Sequence, residues 1–257
     1  MITFMKKTII ALAACAPLLV ALPAQAAAPK AKDPVRALKG QFVAGHGVRF
    51  TETTTLSGEA RTVKAQSRKG TFQFGAQGIA ASDTVATSGM GRERVINIGK
   101  VGYTSGGSVK KLLPEGKTWY KSRDTGGAGG YLGQAINPVE PRTLAVLIKK
   151  GKVTRRAITG KITFKELDKV SPWATKSAPL RVNKATKVSY TLTLTSAGLV
   201  SSVKSSYVYG DKSGMTVTVD SRFTGWGTKV SIRAPKSTTV TGKLIGEVPD
   251  SLLNGSK

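Results

Sequence analysis

The sequence predicts an α+β protein built on one antiparallel sheet of about ten strands, with its helices on a single face. Three observations predict it. Between Lys187 and Arg233, apolar residues alternate with hydroxyl residues at the period of two expected where one sheet face is buried and the other wet. Links such as Ser196-Ala197-Gly198 and Gly210-Asp211-Lys212-Ser213-Gly214 have the chemistry of hairpin turns. Helical spacing of apolar residues occurs in only two substantial stretches, so most of the chain is left to strands joined by short links.

In chain order, Lys6 and Lys7 form a basic n-region, Thr8 to Leu22 an apolar h-region, and Ala24-Gln25-Ala26 a small-x-small cleavage site. Residues 1–26 therefore read as a secretory signal peptide, too short and wrongly flanked for a membrane span. Leu12-Ala13-Ala14-Cys15 offers a competing lipobox reading in which Cys15 would be acylated. Cleavage there would leave the apolar run Leu18 to Leu22 on the mature chain, which favours the site after Ala26. Cys15 is the sole cysteine, so a chain beginning near Ala27 has no disulfide and depends on its core.

Residues 27–32 are Ala/Pro/Lys-rich and read as a disordered tether. Asp33-Pro34 starts a helix, with the carboxylate as N-cap and proline at the first helical position; Val35, Leu38 and Phe42 share a face, and Gly45 or Gly47 ends it. From Val48 the pattern is strand, with Val48, Phe50 and Leu56 on one parity. Arg61 to Gly75 and Gly78 to Ser88 are two further strands, and Arg94 to Ile98 with Val101 to Ser105 a hairpin. Ser108 caps a short turn holding Val109, Leu112 and Leu113, and Lys117 to Lys121 resumes a strand. Asp124 to Gly133 is glycine-rich but lacks a phosphate-binding pattern and reads as a flexible lead into the second helix. That helix begins by Pro141, aligns Leu144, Leu147 and Ile148, and stops at Gly151 after Lys149-Lys150. Lys152 to Phe164 is a strand, Ser171 to Pro179 a connection containing Trp173, and then comes the meander. Val230 and Ile232 mark a last strand, and residues 236–257 a flexible tail whose Leu244, Ile245, Leu252 and Leu253 are available to dock locally, leaving 33–235 as one domain.

Of 257 residues 40 are Lys or Arg and 14 Asp or Glu; loss of the signal peptide leaves a net charge of about +24. Such a charge favours anionic surroundings, a membrane or cell-wall surface, or serves as a solvated coat. Nucleic acid is excluded by the secretory signal and by the lack of any recognition motif. Catalysis has little to work with. His46 is the single histidine, set between Gly45 and Gly47 as a local cap, and Glu166 and Asp168 read as solvated ion-pair partners. No cofactor or metal is implied, and the chain reads as a non-enzymatic monomer.

Two cassettes carry a resemblance. Val101-Gly102-Tyr103-Thr104-Ser105-Gly106 followed by Leu112-Leu113-Pro114-Glu115-Gly116-Lys117-Thr118-Trp119-Tyr120 is similar to a strand, short helix and K-x-W strand of the LppX/LprAFG-type actinobacterial envelope lipoproteins. Phe223-Thr224-Gly225-Trp226-Gly227 with Val230-Ser231-Ile232 and Ala234-Pro235 resembles the ending of that family. The resemblance implies a curved, half-open antiparallel barrel shared with the LolA and LolB carriers, helices covering the concave face, and a cavity for acyl chains. No ligand-contacting position transfers residue by residue.

The apolar face of the meander holds Tyr190, Leu192, Leu194, Val203, Tyr207, Val217, Val219 and Phe223, and the helices add Phe42, Leu144, Leu147 and Ile148. These twelve are either a closed core or the lining of a lipid cavity. Two helices are scant cover for about ten strands, and each buried methylene is worth roughly 0.8 kcal/mol. The expected function is therefore a secreted or envelope-associated carrier of a lipid or acylated ligand. The alternative is a cationic envelope module held electrostatically on anionic wall polymers.

Overall fold

The computed structural model describes residues 33–123, 132–154, 156–177, 182–210 and 214–246. The chain divides at Lys30/Ala31, and the fold is that of the unit from Ala31 onward. The signal peptide with Cys15, the tether and residues 247–257 lie outside the described residues, as do 124–131 of the glycine-rich stretch.

Asp33 caps α1 (Pro34–Lys39), its carboxylate accepting from the Val35 and Arg36 amides. The helix stops at Gly40, earlier than expected, as Gln41 and Phe42 turn back onto Leu38 and Lys39 carbonyls. Six strands follow: β1 (His46–Ser57), β2 (Thr62–Gly75), β3 (Gly78–Ser88), β4 (Gly91–Ile98), β5 (Val101–Gly106) and, after a 3-10 turn at Gly107–Leu112, β6 (Trp119–Arg123). Then come α2 (Pro141–Lys150), β7 (Lys152–Thr154), β8 (Ala157–Thr163), α3 (Phe164–Asp168) and α4 (Pro172–Ser177). The meander β9 (Lys187–Leu194), β10 (Val200–Tyr209) and β11 (Met215–Lys229) precedes a two-residue strand β12 (Val240–Thr241).

Among the described residues twelve strands form one open sheet in the order β12-β6-β5-β4-β3-β2-β1-β11-β10-β9-β8-β7. Every pairing is antiparallel except β12 with β6. Two meanders are thus joined at a seam where β1 lies against β11, and the ends β12 and β7 do not meet, which is the half-open barrel expected.

Helices α1 to α4 and the segment 132–140 cover the inner face, and the core they make with it runs from Ile158 and Ile162 of β8 to Phe72 and Phe74 of β2. Past β2 the inward residues shrink to Ser82, Thr84 and Ala86, with Val95 and Thr104 opposite. A groove forms at this change of side-chain size, at the β2–β3 boundary.

Three segments differ from expectation. Lys152 to Phe164 is a hairpin, β7 and β8, that runs into α3, because Thr163 and Glu166 close a capping box with each other's amide and side chain. Ser171 to Pro179 contains α4, started by Pro172 with the Ser171 hydroxyl accepting from the Ala174 amide. The tail is laid down as far as Gly246: Val240 and Thr241 pair with Trp119 and Tyr120, Lys117 Nζ donates to Thr238 O, and the Ile245 amide donates to Leu112 O. The backbone of β6 is otherwise an unpaired edge, and a polar chain end supplies its missing partners. Val230 and Ile232 are held by Gly45 O and the Gln73 side chain rather than in a ladder.

Candidate functional site

The inward positions of β1 read Val48, Phe50, Glu52, Thr54, and those of β2 read Gln66, Arg68, Gly70, Phe72. Register places Glu52 opposite Arg68, and their side chains meet at 2.8 Å with 2% or less of either exposed. Gly70 stands opposite Phe50, where a Cβ would collide with the ring. The ring lies across β2 instead and stacks on Phe72 at 5.1 Å. The Arg68 guanidinium is 5.9 Å from the Phe50 ring and 5.4 Å from that of Trp173, so a buried charge is held by one carboxylate and two π faces.

Over this centre passes a strap, residues 132–140, buried from Leu132 to Val139 yet neither helix nor strand. Buried backbone polar groups require partners, and side chains provide them. Thr54 Oγ1 donates to Leu132 O at 3.0 Å, the Gln134 amide donates to Glu52 Oε1 at 3.1 Å, and Trp173 Nε1 donates to Gln134 O at 2.7 Å. The Gln134 side chain enters the sheet face, accepting from Ser205 Oγ at 2.7 Å and donating to Ser221 Oγ at 3.3 Å. Gly133 crosses Arg68 so closely that a Cβ would strike the guanidinium. Only about 10 Å³ of void remains among these groups.

The strap ends at Glu140, the N-cap residue of α2. Its carboxylate accepts from Thr143 Oγ1, Ser171 Oγ and the Trp173 amide, so one side chain ties the N-termini of α2 and α4 together. Burial pushes this carboxyl above the usual range, and the three hydrogen bonds offset that in part.

Beside this joint lies a groove of about 360 Å³. Its apolar walls include Phe72, Val139, Val170, Pro172 and Trp173, with Ile79 and Val101 from the strand side; Lys100, Arg142, Gln77 and Asn97 also line it. Lys100, Arg142 and Gln77 are exposed. Phe72 and Trp173 meet edge to face at 5.3 Å and partition the groove from the Glu52–Arg68 centre.

Of the twelve residues expected to form the apolar face, Tyr190, Leu192, Val203, Tyr207, Val217, Val219, Phe223, Leu144 and Leu147 are buried in the core. Phe42, Leu194 and Ile148 pack against it. None lines the groove; Phe223 borders the small central void. The Tyr190 hydroxyl donates to Leu147 O at 2.7 Å, fastening α2 to the sheet, and burial raises its pKa. The groove could not be read from the sequence: Trp173 sits in what reads as a connection, and Ile79, within the expected strand Gly78 to Ser88, carries no local sign of facing a groove. The inward parity of Glu52 was a visible signal of a polar centre.

His46 opens β1, and among the described residues no cluster of His, Cys, Asp and Glu could hold a metal. Glu166 bonds Lys150 at 2.7 Å and Asp168 bonds Lys184 at 2.7 Å, both on α3. No described helix is long and apolar enough to cross a membrane.

No family model matches the chain, and no curated protein matches it. Among solved structures it is similar to the Mycobacterium tuberculosis lipoprotein LppX, with 12% identity over 78% of this chain and 96% of that one and a TM-score of 0.40. It is also similar to a LolA superfamily protein from Nitrosomonas europaea, with 8% identity over 80% of this chain and 96% of that one and a TM-score of 0.33.

Proposed function

We propose that the protein is an extracytoplasmic carrier that binds an amphiphile through its acyl chain, with the groove beside Glu140 as the mouth of the site. The observation that carries the reading is the groove itself, apolar inside and edged by two exposed cations. About 360 Å³ is within the range of small-molecule sites. An acyl chain lying against Phe72, Val139 and Trp173 would leave an anionic headgroup beside Lys100 and Arg142.

A longer chain would reach the twelve apolar positions only by moving Trp173 and the strap. The strap is held both by hydrogen bonds, which water can replace, and by the burial of Ala135, Ile136 and Val139, which a bound acyl chain can replace. The core that chain would then enter includes Val203, Val219 and Phe223, which are packed against their neighbours until the strap moves.

The test is solvent extraction and lipid mass spectrometry of the purified protein, alongside binding of a fluorescent fatty acid. Stoichiometric lipid and saturable binding are expected. Ile79→Arg, at a position 37% exposed on the groove, should weaken fatty-acid binding by about tenfold while leaving the melting temperature unchanged. Absence of both bound lipid and probe binding would overturn the proposal.

A further inference from the structure

Lipid binding in the groove leaves the outer face of the sheet without a role, and that face is not an ordinary solvated surface. The ladder registers order its side chains into rows across the strands. One row, from β10 to β4, is Ser202, Arg222, Thr51, Lys69, Val85, Arg94. The next is Lys204, Asp220, Thr53, Ser67, Thr87, Arg92. Twist makes a sheet saddle-shaped, so a face convex along one direction is hollow along another. Here the hollow is a trough of about 630 Å³ with Thr51, Thr53, Ser67 and Thr87 among its lining and Lys69 and Arg222 on either side of Thr51. These two cations stand two strands apart, about 9.6 Å between backbones.

Charge in the trough is uneven. Arg94 is neutralised by a two-point contact with Asp83 at 2.9 and 2.7 Å, and Glu52 and Arg68, which reach the trough from the other face, neutralise each other. Lys69 and Arg222 are exposed, and Lys204 and Arg92 stand exposed at the ends of the second row. Asp220, 4.0 Å from Arg222 Nε, is the one other carboxylate lining the trough among the described residues.

We propose that this trough binds a phosphodiester-linked polyol or sugar chain, the threonine and serine hydroxyls exchanging hydrogen bonds with the polyol while Lys69 and Arg222 take successive phosphates. A bilayer does not fit, because the surface is recessed and, among the described residues, Val85 alone of those lining it is apolar. Nucleic acid lacks its stacking platform, since no aromatic residue among the described residues lines the trough.

The test measures binding of the full chain to a glycerol-phosphate oligomer, a neutral glucan of equal length and phosphatidylglycerol vesicles. Lys69→Glu with Arg222→Glu should weaken oligomer binding at least about tenfold. The control, Lys110→Glu with Lys236→Glu, changes net charge equally and should cost less than about threefold. Asp220→Asn should tighten binding, and Thr51→Val with Thr53→Val should loosen it at unchanged charge. Equal losses from the two reversals would overturn the proposal. So would oligomer binding indifferent to Asp220→Asn and the threonine pair, glucan binding as tight as the oligomer's, or vesicle binding that shows the same dependence on Lys69 and Arg222.

Discussion

Glu140 and Glu166 have opposite consequences for pH. The folded pKa of Glu140 lies above its ordinary 4.5, so folding favours the protonated form. Its contribution to stability is greatest below that ordinary value and is lost as pH rises through the raised one. Glu166 is held down to about 2, first by Lys150 and then by the Thr163 amide and hydroxyl, so its contribution is present above 4.5 and lost as pH falls toward 2. Thermal melts of Glu140→Gln should therefore gain on the wild type as pH rises from about 4.5 to 7, while Glu166→Gln should lose the acid-side decline. At the buried pair, Arg68→Met leaves Glu52 uncompensated and should cost roughly 3–5 kcal/mol by denaturant unfolding, with Glu52→Leu added to it restoring part of the loss.

Elements whose pattern is local were legible in the sequence. The strands from Val48 to Ser105 and the meander stand where alternation and glycine turns place them, and Pro141, Lys149-Lys150 and Gly151 bound α2 as expected. The strap was not legible, because a glycine-, asparagine- and proline-containing stretch has loop composition, and its burial depends on Thr54, Ser221 and Trp173, distant in the chain. Helices α3 and α4 are too short to show a periodic face, although Thr163-Phe164-Lys165-Glu166 carries a readable capping box. The groove depends on how far the helices reach over the sheet, which no local pattern encodes. The packing of α2 makes its own demand on the sheet: Gly160 faces Tyr190, where a Cβ would meet the phenol oxygen. Gly160→Ala should push that hydroxyl off Leu147 O and destabilise by about 1–3 kcal/mol, measured in urea.

At the scale of the whole molecule, the seam between β1 and β11 sets the protein apart from a simple meander. Hairpin contacts such as Arg94 with Asp83 span 11 residues, whereas Ser221 reaches Glu52 across 169. That is about four doublings of loop length, or about 2.4 kcal/mol more closure entropy. Contacts within β9 and β10 should thus precede the seam. In stopped-flow experiments Leu192→Ala should mainly slow refolding, and Thr54→Ala should mainly hasten unfolding. There is a timing consequence for a chain that appears N-terminus first. β1 must wait, with the edge destined for β11 open, while more than half the protein emerges. Its outward residues Arg49, Thr51, Thr53 and Thr55 are all hydrophilic, so a stray strand that docked there would gain backbone bonds but little apolar burial, and the vacancy is kept for the one partner that also brings Val217, Val219 and Phe223.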